Sequence, residues 1–314
     1  MNFLLAVAFV VCWSSGFIGA KLGAGSAPAV TLLMWRFLPL ALALLAATAA
    51  RASWRSVPPR ALLRQALIGT LSQSGYLLTV FWAIQLGVSS GTTALIDGVQ
   101  PLVAGALAGP LLRQYVSRPQ WLGLGLGLGL GLAGVVIVTT ADAATAADVA
   151  WWAYLIPFLG MLSLVAATFL EGRSRTDLSP EVPLAVHCAT SAVIFTALAL
   201  AAGSATPPTD PAFWTAVVWL VVLSTFGGYG LYWLILRRSG VTQVNTLMFL
   251  MAPVTAVWGA IMFGEHFGVR TALGLAVCLA AVVVVHRGRR PAAPAPIRAR
   301  SDAPTPAGNA AAPL

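Results

Sequence analysis

Charge is scarce in this chain: Asp, Glu, Lys and Arg make up 9% of its 314 residues, while 59% are hydrophobic. A soluble domain carries roughly a quarter of its residues charged, so a water-facing globule is excluded. Histidine and cysteine are as rare, at three residues each. Cys12, Cys188 and Cys278 fall in different apolar segments, which excludes a disulfide framework or a Cys/His metal spacing and leaves them as small packing residues. Three histidines, no paired carboxylates and no nucleophile beside a base leave nothing to build a catalytic or metal centre from. The expectation is no enzyme, no cofactor and no metal. A GxGxxG match at Gly129–Gly134 lacks the polar loop and helix start that a phosphate site needs.

What the chain has instead is apolar segments of about 20 residues, the length a helix needs to cross a bilayer core of about 30 Å. Ten can be drawn, at 2–22, 28–50, 61–86, 91–113, 119–140, 149–172, 182–202, 212–238, 241–264 and 268–286. The first lacks the basic start of a signal peptide and is followed by nine more, so it reads as a retained helix. The predicted class is an all-α membrane protein of ten transmembrane helices in the plasma membrane, the inner membrane of a bacterium. A net charge of +9 does not imply nucleic acid, because the basic residues are dispersed. With the N-terminus in the cytoplasm, 15 of the 18 Lys and Arg residues fall in cytoplasmic loops or the C-terminal tail. That bias predicts both termini cytoplasmic. Residues 288–314, rich in Pro, Ala and Arg, read as a disordered cytoplasmic tail.

Within the fifth segment stands the run "WLGLGLGLGLGLAG" from Trp121 to Gly134. Its alternation has the period of a strand, yet a lone strand cannot satisfy its backbone in lipid. On a helix the glycines divide into two stripes, Gly123, Gly127 and Gly131 on one side and Gly125 and Gly129 nearly opposite. Small residues at every fourth position let helices approach closely. Ala272, Ala276 and Ala280 give the tenth segment a weaker version. Helices 5 and 10 are therefore expected to be packing struts between two halves, or the contact of a weak homodimer; the protein is otherwise a monomer.

The fourth and ninth segments read alike, "GVSSGTTALIDGVQPLVAGALAGPLLR" beside "GVTQVNTLMFLMAPVTAVWGAIMFGE", with Pro101 and Pro253 as counterparts. The chain looks like five helices duplicated, 1–140 and 141–287. An odd number of spans inserts the second copy upside down, giving inverted repeats, and that symmetry belongs to alternating access. Pro101 and Pro253 are candidate hinges, since a mid-span proline loosens its helix.

The segments "WSSGFIGAKLG", "MWRF", "ALIDGVQPLVAGAL", "QWLGLGLGLGLGLAGVVIV" and "MAPVTAVWGAIMFGE", in that order, resemble the EamA-type branch of the drug/metabolite transporter superfamily. The resemblance runs from residue 1 to about 287. It implies inverted five-helix repeats in which helices 1 to 4 and 6 to 9 surround a cavity while helices 5 and 10 lie apart, and it implies export of amino acids, related metabolites or toxic organic molecules. Two positions depart from the pattern. Helix 4 ends in Leu112 and Arg113 where the family often has Gly-Glu, as helix 9 does at Gly264 and Glu265, and Asp97 stands where the family has an apolar or small residue.

Ionisable groups inside spans are costly and are functional candidates by default. Arg36, Asp97 and His187 are the three here. Arg36 lies about 12 Å into helix 2 and Asp97 about 9 Å into helix 4 by helical rise, so the two are expected to meet. Asp97 would exchange a proton, the candidate coupling ion, or hold a substrate ammonium, and Arg36 would engage a carboxylate; a static pair is the structural alternative. His187 reads as a satisfied neutral histidine, and Lys21, the one lysine, as a helix end reaching the interface. Further candidate contacts are Trp13, Ser14 and Ser15 on helix 1, Gln73 and Tyr76 on helix 3, Gln100 on helix 4, Tyr229, Tyr232 and Trp233 on helix 8, and Asn245 and Trp258 on helix 9. The function these expectations compose is a secondary active transporter exporting a small metabolite, an amino acid or related amphipathic compound, by alternating access. The alternative is a lipid-moving or channel-like protein of the same fold, because so few charges line the spans.

Overall fold

A computed structural model describes residues 3–51, 53–54, 57–112, 118–146, 148–173 and 178–288. Among them the chain is helical with no strand. In sequence order the elements are α1 (Phe3–Ala24), α2 (Ala29–Ala50), α3 (Pro59–Gly69), a π-helical segment Thr70–Gly75, α4 (Tyr76–Gln85), α5 (Ser90–Gly98) and α6 (Gln100–Leu112). Then come α7 (Arg118–Thr145), a 3-10 turn Trp151–Leu155, α8 (Ile156–Gly172), α9 (Glu181–Ala201) and α10 (Pro211–Trp219). A second π-helical segment Leu220–Tyr229, α11 (Gly230–Met248), α12 (Met251–Phe263) and α13 (Val269–Gly288) complete the order. The predicted tail from residue 289 onward lies outside the described residues, as does Arg113.

Seven helices, or runs of joined helices, are long and apolar enough to cross a membrane, and Met251–Phe263 and Val269–Ala281 are shorter apolar helices. The difference from ten uniform spans has local causes. The fourth segment is broken at Val99 into α5 and α6, so neither piece spans alone. The ninth was expected to start after a loop at Ser239–Gly240, but α11 runs unbroken through both residues and the chain turns at Phe249–Leu250. Gly next to Ser signals a loop in water; here helical hydrogen bonding prevails over that preference. Each break is followed within a turn by its proline, Pro101 in α6 and Pro253 in α12. A proline there forgoes only an N–H that a helix start leaves unpaired anyway.

Packing bears the mark of the duplication. The counterparts α2 and α9 pack on each other, as do α7 and α13, and α5 of the fourth segment packs on α12 of the ninth. Likewise α1 packs on the second π-helical segment while α8 packs on the first. The two π segments themselves fall in the third and eighth predicted spans, which the duplication equates. α7 and α13 meet through glycine: a Cβ on Gly134 would lie 2.6 Å from the Gly274 carbonyl oxygen, and one on Gly274 would lie 2.8 Å from that of Gly134. A Cβ on Gly125 or Gly129, on the other stripe, would meet nothing within 4 Å among the described residues beyond its own helix backbone. A main core of Phe17, Leu33, Phe37, Ile84, Phe195, Phe213 and Leu220 joins both halves.

Candidate functional site

The two π-helical segments carry the sequences "TLSQSG" and "LVVLSTFGGY", each small-residue-rich and each ending at or just before a tyrosine. An extra residue per turn leaves carbonyls for other donors, and such segments recur at functional sites. Here Thr225 Oγ1 donates to the Leu220 carbonyl at 3.0 Å, and Ser163 Oγ donates to that of Leu71 at 2.8 Å. Glycine in these segments lets neighbours in close. A Cβ on Gly227 would lie 2.9 Å from Cys12 Sγ, and one on Gly75 would lie 2.8 Å from Ser163 Oγ. Tyr76 and Tyr229 thus come to stand at matching places, one per half.

Between these segments lies a polar cluster in an otherwise apolar interior. Gln73 Nε2 donates to the Tyr229 hydroxyl at 3.4 Å, Ser191 Oγ to Gln73 Oε1 at 3.4 Å, and Ser74 and Ser191 share a hydroxyl contact of 3.1 Å. Arg36 reaches in from α2 and is only 3% exposed. Its Nη2 donates to Ser224 Oγ at 3.3 Å and to Thr225 Oγ1 at 3.2 Å. The guanidinium carbon lies 5.2 Å from the Phe37 ring centroid and 6.0 Å from that of Phe81, in cation–π range. Tyr229, Cys188 and Tyr76 are within its electrostatic reach.

That partnership is incomplete. Arg36 Nε and Nη1 are buried and have no hydrogen-bond partner among the described residues. Leaving a charged donor unpaired in a low-dielectric interior costs about 1–3 kcal/mol or more per group. Asp97 mirrors this. Its Oδ2 accepts from the Tyr76 hydroxyl at 2.8 Å, while Oδ1 is buried without a partner among the described residues. A fixed cation with free N–H groups can receive an anion, and a carboxylate with a free oxygen can hold a proton or an ammonium.

Arg36 and Asp97 do not form the expected ion pair; among the described residues the ion pairs are Lys21–Glu265 and Arg51–Glu181. Matching depth fixes height in the bundle, not direction around it. Arg36 turns to the second-half segment, Asp97 to Tyr76 of its own half. Lys21 is likewise not a free interfacial end, because Glu265 lies 3.5 Å away. His187, half-buried, meets Gln65 Oε1 through Nε2 at 2.8 Å and is a satisfied histidine.

Of the other predicted contacts, Trp13 joins the cluster, with ring centroids 5.6 Å from Tyr229 and 5.8 Å from Tyr232. Ser14 does not; its hydroxyl donates to the Met251 carbonyl at 3.4 Å and pins α1 to α12. Ser15 caps the Cys12 carbonyl at 2.6 Å. Gln100 turns outward to Thr168 at 3.3 Å, and Trp258 packs on Trp219 with centroids 5.8 Å apart. The side chains of Trp233 and Asn245 lie outside the described residues. Ser224, Thr225 and Ser191, which the sequence reading passed over, prove to be cluster members. The recurrence of Gly-Tyr at Gly75–Tyr76 and Gly228–Tyr229 was the signal available for the first two.

Residues 1–140 and 151–287 each match the EamA-like transporter family. The chain belongs to that family. An EamA-like chain is a multi-pass membrane transporter of the drug/metabolite transporter superfamily, not an enzyme, and the two matched stretches fit the two-repeat packing described above. No curated protein matches the chain. Fifteen chains of solved structures are similar to it. One, titled only as the crystal structure of a protein, has a TM-score of 0.62 at 20% identity, covering 91% of this chain and 98% of its own. That likeness is one of fold.

Proposed function

We propose that this EamA-like protein is a secondary active exporter of small metabolites that carry an anionic group, amino acids foremost, working by alternating access between two inverted five-helix halves. The observation that carries the reading is the Arg36 guanidinium, buried at 3% exposure with Nε and Nη1 unpartnered among the described residues. A cation at membrane depth costs several kcal/mol to keep, and a cargo carboxylate arriving on those N–H groups would recover part of that. Asp97, bonded to Tyr76 through one oxygen only, supplies the opposite sign. It holds either the cargo ammonium or the proton whose movement drives export. Trp13, Tyr229 and Tyr232 supply the flat apolar wall that small-molecule sites share.

Alternating access needs two arrangements of the same contacts. The breaks at Val99 and at Phe249–Leu250, each just ahead of its proline, are the points where the fourth and ninth spans would bend. With both termini cytoplasmic, the Lys21 end faces outward. The test is flux in proteoliposomes holding purified protein and a panel of amino acids and carboxylic acids. Saturable movement of one of these, lost in Arg36→Gln, supports the proposal. Movement unaffected by that substitution removes Arg36 from the cargo site.

A further inference from the structure

At the Lys21 end two carboxylates of the second half bond to the first, Asp210 to the Ser26 hydroxyl at 2.7 Å and Glu265 to the start of α5. α12 stops at Gly264, whose φ of 65° is the left-handed conformation that favours glycine at a helix C-terminus. The Gly264 N–H donates to the Ala260 carbonyl at 3.1 Å and the Glu265 N–H to that of Gly259 at 3.4 Å, which turns the chain back. Glu265 is thereby aimed at the first turn of α5, in the other half. The Ser90 N–H donates to both of its oxygens, at 2.9 and 3.1 Å, and the Ser90 hydroxyl donates to Oε2 at 2.6 Å. Lys21 of α1 lies 3.5 Å from Oε1. An anion on the free N–H groups of a helix start is well placed electrostatically.

The surroundings leave no slack. A Cβ on Gly259 would collide with the Glu265 carboxylate, and one on Gly91 would lie 2.8 Å from Ala256 Cα. The repeat register that pairs Pro101 with Pro253 also pairs Ser90 with Thr242 and Glu265 with Arg113. Thr242 lies inside α11, not at a helix start, and arginine offers no acceptor. The Glu265 clamp therefore has no counterpart in the repeat register; the opposite end is joined by different residues, Glu181 accepting from the Ser53 hydroxyl at 2.8 Å and lying 3.7 Å from Arg51.

We infer that Glu265 is the latch of the outer gate: its bonds to Ser90 and Lys21 must break for the carrier to open outward. This rests on the alternating-access reading above. Glu265 acts through Ser90 and Lys21 and touches no cargo, so it is a positioning residue. Glu265→Gln keeps the size and removes the charge from three contacts.

The test is hydrogen–deuterium exchange of wild type and Glu265→Gln in lipid nanodiscs, comparing a peptide over 88–95 at the latch with one over 64–71 at the opposite end. The latch predicts exchange at 88–95 faster by on the order of 10-fold, about 1.4 kcal/mol, with 64–71 unchanged or slower. Lys21→Gln, which spares the Ser90 bonds, should give a smaller increase in the same peptide. Equal exchange in wild type and Glu265→Gln overturns the latch, and so does equal acceleration at both ends, which would be general loosening. Solute flux measured beside it separates the two readings. Flux in wild type with no change in exchange sinks the latch and keeps the carrier, whereas shifted exchange in a protein that moves no solute keeps the gate and sinks the carrier.

Discussion

Glycine substitutions on opposite sides of α7 should have opposite effects. An alanine at Gly134 would place its Cβ 2.6 Å from the Gly274 carbonyl oxygen and 3.1 Å from the Cys278 backbone nitrogen, against Cys278 Sγ as well. The obstacle is α13 backbone, which a rotamer change cannot move, so α7 and α13 must separate. Overpacking of that kind costs about 1–3 kcal/mol. The Cβ of an alanine at Gly125 or Gly129 meets nothing within 4 Å among the described residues beyond its own helix backbone. There the only change is helix propensity, a gain of up to about 1 kcal/mol. The assay is loss of the monodisperse peak on heating in detergent, for Gly134→Ala, Gly125→Ala and Gly129→Ala beside wild type. Gly134→Ala should unfold at lower temperature, the other two at the same or higher temperature. If Gly125→Ala is as damaging as Gly134→Ala, the assignment of the close stripe to the α13 contact is wrong.

Three further outcomes follow from the site and the loops. Asp97→Asn should remove a pH dependence of transport, because one oxygen already bonds Tyr76 and the other is the one free to take a proton; flux profiled across pH checks it. Arg36→Lys keeps the charge but gives up the planar fork that reaches Ser224 and Thr225, so flux should fall about 10- to 100-fold with the fold intact. Asp210, outside the spans, accepts from the Ser26 hydroxyl and caps the Ala212 N–H, and these bonds hold its carboxyl below the ordinary carboxylate range. A depressed pKa stabilises the fold above the unfolded value of about 3.9. The stability gap between wild type and Asp210→Asn should therefore be constant near neutrality and close only as the pH falls below about 4, read by the same heating assay at several pH values.

Hydropathy made the helical segments legible because lipid requires every span to satisfy its own backbone, and the duplication was legible because Pro101 and Pro253 survive in register. What hydropathy cannot register is hydrogen-bond periodicity. Thr70–Gly75 and Leu220–Tyr229 are as apolar or small as an α-helix would be, so the π segments that carry Gln73, Thr225 and Tyr229 left no trace in composition. The same blindness hid the partner of Arg36. Its depth pointed to Asp97, while its direction, set by packing of α2 on α9 and on the second π segment, led to Ser224 and Thr225. Lys21 was misread for a related reason: a lone lysine at a helix end looks solvated until the turn at Gly264 brings Glu265 across from the other half. Ser239 and Gly240 looked like a loop and are helical, since loop propensity is a preference measured in water.

The measurement that bears most directly on the central claim compares metabolites outside and inside cells that produce wild-type protein with those of cells that produce Arg36→Gln at equal abundance in the membrane. A carrier that grips its cargo through the free N–H groups of Arg36 should enrich the medium in one or a few anion-bearing small molecules with wild type alone, and retain them inside with the variant. Identical profiles for the two, or enrichment of a solute with no anionic group, would contradict it.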